Sequence, residues 1–142
     1  MITNIHKATL IDGSPLNEDD LIEGVEIFMK SGSGVLRCKC VENTDEKAVF
    51  DSLNPDWPYT YIMDKQAEDL TLDEFDLLKE ALLAFSAFGN LPTDEQRDIV
   101  IRADQLGYAN YISFTQAHWT KDGIRAYHDL ENEYEQRASM SI

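Results

Sequence analysis

Cysteine is scarce in this chain, cations are outnumbered more than two to one, and no apolar run is long. Each shortage excludes something. The two cysteines, Cys38 and Cys40, lie two apart in a stretch that reads as a strand, where their side chains point the same way and are badly placed for a disulfide with each other. Two thiols are also half of what a structural zinc takes, and nothing resembles a disulfide framework. No segment approaches the roughly 20 apolar residues that cross a bilayer. The opening MITNIHKATLIDG lacks the charged and apolar regions of a signal peptide. We therefore expect a reduced, cytoplasmic protein that does not engage membranes. With no repeat, low-complexity tract or linker, one domain is expected over residues 1–142.

What the chain does have is an apolar supply and a large negative charge. Hydrophobic residues make up 43% and aromatic residues 10%, enough for a core without staples and against disorder throughout. Twelve Lys and Arg face 27 Asp and Glu, a formal net charge of −15. Such an excess repels nucleic acid and anionic membrane. It suits solubility, adaptation to high salt, or a field aimed at a basic surface. A compact chain of this length has a radius of gyration of roughly 14 Å. B-DNA carries about 20 charges over a comparable diameter of about 35–40 Å, the same order as this protein.

Along the chain, residues 5–12 read as a short strand ended by Gly13, Ser14 and Pro15. Asn17 can cap a helix running to about Lys30, with Leu21, Ile22, Val25, Phe28 and Met29 on its apolar face and Gly32 beyond its end. The period then changes to two. Val35–Glu42 and Lys47–Leu53 read as strands around the turn at 43–46, and a third β-rich run comes at Tyr59–Met63. Thr71 and Thr93 open capping boxes, the first before Phe75, Leu78, Leu82 and Phe85 with a stop at Gly89, the second before a helix ending at Gly107. Tyr108–Trp119 is ambiguous and is read as a short helix. Thr120 caps a last helix with Ile124, Tyr127, Leu130 and Tyr134 inward. The fold class expected is α+β: a small antiparallel sheet in the N-terminal half packed with helices mainly from the C-terminal half.

Chemistry-bearing motifs are missing. There is no G-x-S-x-G, Walker loop or G-x-G-x-x-G. Gly32-Ser33-Gly34 lacks a following helix N-terminus to cradle phosphate. His128 and Glu131 are one turn apart, with His118 upstream, but one such copy is not a di-metal bundle. No catalytic residue, metal or cofactor is assigned, and we expect a binding protein rather than an enzyme.

The acids are ordered beyond what composition requires. Asp69, Asp73, Asp76 and Glu80 are spaced four, three and four apart, which stacks them on one helical face (Asp69 just before the helix), opposite Phe75, Leu78, Leu82 and Phe85. Asp19, Glu23 and Glu26 repeat the spacing in the first expected helix. Asp122, Asp129 and Glu133 repeat it in the last. An outer helical face is normally charged, but stable surface helices interleave the signs. One-signed stripes suggest a surface selected for its field.

The segment from Tyr61-Ile62-Met63-Asp64 through an acidic loop into Thr71-Leu72-Asp73-Glu74-Phe75-Asp76-Leu77-Leu78 resembles part of the ArdA antirestriction proteins, where a strand and acidic loop lead into a similar helix. The chain is shorter than that family and lacks its usual N-terminal region. The resemblance implies an elongated acidic mimic of bent B-DNA that occupies the DNA groove of a type I restriction enzyme and dimerises. The wider class includes anti-CRISPR proteins and others encoded by phages or mobile elements, which would act in the host cytoplasm. The expected partner is a basic nucleic-acid-binding protein, with no nucleic acid bound directly and a homodimer as a further option. Two other readings stay open: an immunity or antitoxin-like protein that plugs a cationic toxin, and a small enzyme with an unrecognised site.

Overall fold

Apolar and polar residues alternate within Glu26–Ser31, Gly34–Asn43, Lys47–Ser52 and Thr60–Asp64, and in the computed structural model these segments are strands of one sheet. The structure describes residues 1–31, 34–86, 91–113 and 115–140, apart from the side chains of Ser86 and Met140. The chain divides into two compact units, Met1–Glu68 and Asp69–Ile142. Nothing in composition marks the boundary: Lys65-Gln66-Ala67-Glu68-Asp69 contains neither glycine nor proline. The fold is α+β, with the antiparallel sheet in the N-terminal half and the helices in the C-terminal half.

The first unit is a five-stranded meander in sequence order: β1 (Ala8–Leu10), β2 (Glu26–Ser31), β3 (Gly34–Asn43), β4 (Lys47–Ser52) and β5 (Thr60–Asp64). All pairings are antiparallel. The register sets Ile27 opposite Cys38, Cys40 opposite Phe50 and Ala48 opposite Met63. These six residues are almost wholly buried and form the core of this unit, with Ala8, Leu16, Leu21 and Met29 around them. Burial raises the pKa of both thiols, Cys38 and Cys40, and so keeps them protonated and unreactive.

The helix expected from Asn17 to Lys30 does not form. Its start signal is correct, since Asn17 and Asp20 close a capping box, but the cap opens only a 3-10 turn, Glu18–Asp20. Gly24 then sits at φ 94, a left-handed conformation that ends any helix. Beyond it Ile27 and Met29 are fully buried while Glu26, Phe28 and Lys30 face the other way. Phe28 and Met29 fit a helical stripe on paper, but sheet pairing with β3 takes them at period two. The residues 5–12 strand is shorter than expected, because Ile5–Lys7 is a 3-10 turn and only Ala8–Leu10 is extended.

The second unit contains α1 (Leu72–Ser86), α2 (Asp94–Leu106), a hairpin of β6 (Ala109–Ser113) and β7 (Gln116–Trp119), and α3 (Lys121–Met140). Both capping boxes are made. Thr71 accepts from the Glu74 amide and Glu74 from the Thr71 amide, and Thr93 and Gln96 do the same. Gly107, at φ 87, ends α2. The stops read at Gly32 and Gly89 lie outside the described residues.

The aromatic stretch read as a helix is the β6–β7 hairpin. In β6, Ala109 is buried and Tyr111 half-buried, while Asn110 and Ile112 are exposed, a strand alternation. The Asp104 carboxylate, buried in α2, accepts the Tyr111 amide at 2.9 Å and fixes the strand to the helix. Thr120 then links hairpin and helix. Its hydroxyl donates to the Gly107 carbonyl at 2.6 Å and accepts the Gly123 amide at 3.0 Å. Of the four residues expected inward on α3, Tyr127 and Leu130 are half-buried, but Ile124 is 46% and Tyr134 64% exposed. From Asn132 to Ser139 every residue of α3 is exposed.

Candidate acidic interface

Helix α1 is where sequence and structure agree best. Phe75, Leu78, Ala81, Leu82 and Phe85 are buried, and Asp73, Asp76 and Glu80 are exposed. At 3.6 residues per turn these three carboxylates fall within an arc of about 60° on the far side from that core, rising about 10 Å along the axis. Among the described residues none of the three makes an ion pair. The nearby Glu74 does: Arg102 from α2 is bound to its Oε2. The Thr71 amide, then Arg102, holds the Glu74 carboxyl below its usual range. The helix therefore separates its acids into an ion-paired one on its flank and an outer row that makes no ion pair among the described residues.

Asp76 in the row and Asp69 just before it carry a second task. The Tyr127 hydroxyl on α3 donates to Asp76 Oδ1, and the Tyr108 hydroxyl donates to Asp69 Oδ1 at 2.7 Å. Asp69 precedes α1 and also accepts the Leu70 amide at 2.8 Å. The Tyr127 ring stacks on Phe75 at 5.5 Å and on Trp119 at 5.7 Å, and the Tyr108 ring lies 5.2 Å from Phe75. The aromatic cluster under α1 thus reaches out to hold its acids in place. Hydrogen bonding to Asp76 pushes the Tyr127 phenol up to about 12. Burial, then Asp69, pushes Tyr108 still higher. These tyrosines lie 39 and 51 residues from their carboxylates, so no local spacing could have found them.

The other two stripes fare differently. Asp19 lies in the 3-10 turn, Glu23 in the turn before Gly24 and Glu26 at the start of β2, so they share no helical face. Glu26 is bound by Arg37 at 3.2 Å. On α3, Asp122, Asp129 and Glu133 do share a face and all are exposed. Arg125, three after Asp122 and four before Asp129, interrupts it, and Arg137 binds Glu133 at 2.8 Å. The α3 stripe is mixed in sign.

Charge is divided evenly between the units. The first carries thirteen carboxylates and six Lys or Arg, the second fourteen and six. A hollow of about 400 Å³ beside the hairpin is lined by Phe85, Ile112, Thr115, Gln116, Ala117 and His118. Among the described residues no three His, Cys, Asp or Glu side chains are grouped to hold a metal, and no helix is long and apolar enough to cross a membrane. No protein-family model matches the chain, and no curated protein or solved structure is significantly similar to it.

Proposed function

We propose that this protein is an acidic inhibitor that occupies the nucleic-acid-binding groove of a basic host defence protein, a restriction enzyme or a CRISPR effector, with carboxylates standing in for phosphates. The observation that carries this reading is the outer face of α1, where Asp73, Asp76 and Glu80 are exposed without an ion pair among the described residues. Three charges over about 10 Å, a mean spacing of about 5 Å, are of the same order as the line density of one B-DNA strand, which carries one phosphate per about 3.4 Å of axis. Asp69 extends the row by one position toward the helix start, and its fixed orientation by Tyr108 lowers the entropy lost on docking. The carboxylates of Asp19, Glu23, Asp122 and Asp129 supply field rather than a matched row, and Glu26 and Glu133 are already held by arginines. Long-range attraction at −15 steers the encounter.

The test is competition. The protein is added to a purified type I restriction enzyme, and to a CRISPR effector, each holding a labelled duplex, and the duplex released is measured. The reading predicts release that weakens as salt rises, as Debye screening shortens from about 10 Å at 0.1 M to about 3 Å at 1 M. Neutralisation of a cationic toxin would give salt-dependent binding to the toxin with no release of duplex from either complex.

A further inference from the structure

The first unit displays a feature that charge does not explain: a row of three aromatic rings at alternate positions along the approach to β5. Trp57 is 52% and Tyr59 49% exposed, and Tyr61 is half-buried against the core. Ring centroids are 5.9 Å apart from Trp57 to Tyr59 and 6.1 Å from Tyr59 to Tyr61, with neighbouring planes inclined by 35° and 30°. The backbone beneath is held. The Ser52 amide donates to the Tyr59 carbonyl at 2.8 Å, the Trp57 amide to the Asn54 carbonyl at 3.1 Å, and the Asp56 amide to Asn54 Oδ1 at 3.0 Å. Pro55 and Pro58 stiffen the same loop. Large apolar rings left half in water on a stiff frame mark a docking surface.

We propose that this row binds a proline-rich segment carrying Lys or Arg, taken up as a polyproline II helix. From Trp57 to Tyr61 the row spans at most about 12 Å, room for the about 9 Å (three rises of roughly 3.1 Å) that separates the two prolines of a PxxP unit. Such a segment has no internal hydrogen bonds to break and little conformational entropy to lose. Rings inclined by only 30–35° to their neighbours are not the steeply angled walls that box in a quaternary ammonium. Single-stranded nucleic acid also stacks on exposed aromatics, but it does so inside a positive groove. This unit has thirteen carboxylates against six cations, and Asp56 adjoins Trp57 in the loop itself. That sign favours Lys and Arg in the bound segment and opposes phosphate.

The experiment is titration calorimetry of the full chain with a short synthetic PxxP peptide flanked by arginines. Two control peptides replace the prolines by alanine or the arginines by glutamate. The proline–arginine peptide is expected to bind, and each control to bind about tenfold or more weaker. Trp57→Ala and Tyr59→Ala should each weaken it by about tenfold. In the unaltered chain the indole N–H signal of Trp57 should shift on peptide addition and that of Trp119 should not. Equal binding of the alanine peptide, or no shift at Trp57, would overturn the proposal. Tighter binding of an oligothymidylate, lost in Trp57→Ala, would overturn it in favour of single-stranded nucleic acid.

Discussion

Asp76 serves two ends: it belongs to the exposed row of α1, and it anchors the Tyr127 hydroxyl. That coupling is measurable by pH. The Tyr127 phenol is pushed up to about 12 from an ordinary 10, so the folded state holds its proton more tightly than the unfolded state. Its contribution is complete below about pH 10 and is lost as pH rises toward 12. Stability of the second unit should fall across that window, with tyrosinate absorbance from two tyrosines appearing last. Tyr127→Phe should remove one of the late-titrating groups. At Gly123 the constraint is steric: a Cβ there would lie 2.0 Å from the Tyr108 carbonyl oxygen. Gly123→Ala should therefore destabilise this unit by about 3 kcal/mol or more in denaturant unfolding, at or beyond the upper end of the roughly 1–3 kcal/mol typical of a forced overlap. Tyr61 runs the other way. Its hydroxyl is enclosed without a hydrogen-bond partner among the described residues, so Tyr61→Phe should be neutral or stabilising by up to about 1 kcal/mol.

At the scale of elements, start signals were legible and lengths were not. Asn17, Thr71, Thr93 and Thr120 each mark where a helical turn begins, because a capping hydrogen bond is satisfied by residues three apart. Whether the turn grows into a helix depends on partners elsewhere in the chain. Past Asn17, pairing with β3 took Ile27 and Met29 into a sheet. Past Tyr108, the buried Asp104 drew Tyr111 into a hairpin. The α1 row was legible because one helix decides both its faces. The mixed sign of α3 was also in the sequence, as Arg125 and Arg137 at the interleaving positions. In α1, Asp73→Lys and Glu80→Lys reverse the free members of the row, and Asp76→Asn removes charge while keeping an acceptor for Tyr127. The triple variant should stay folded by circular dichroism, with relief of like-charge repulsion offset by a lysine in the first helical turn. It should also lose partner affinity by several kcal/mol, read as a faster fall in association rate than rise in dissociation rate.

For the whole molecule, net charge is fixed by composition, but its distribution is not. The division at Glu68 and Asp69 left no mark in the sequence, since each unit closes its own core from residues scattered through its half of the chain. The charge is shared almost equally between the units, and on α1 it is organised into an exposed row that makes no ion pair among the described residues. The central claim is that this row displaces nucleic acid from a basic groove. The most direct test is duplex release from a type I restriction enzyme and a CRISPR effector at low and high salt, with the wild-type chain and the α1 triple variant side by side. We predict that the wild type releases duplex from at least one of them at about 0.1 M salt, that release falls steeply toward 1 M, and that the variant releases little at either. Failure of the wild type on both complexes, or equal release by the variant, would contradict the account.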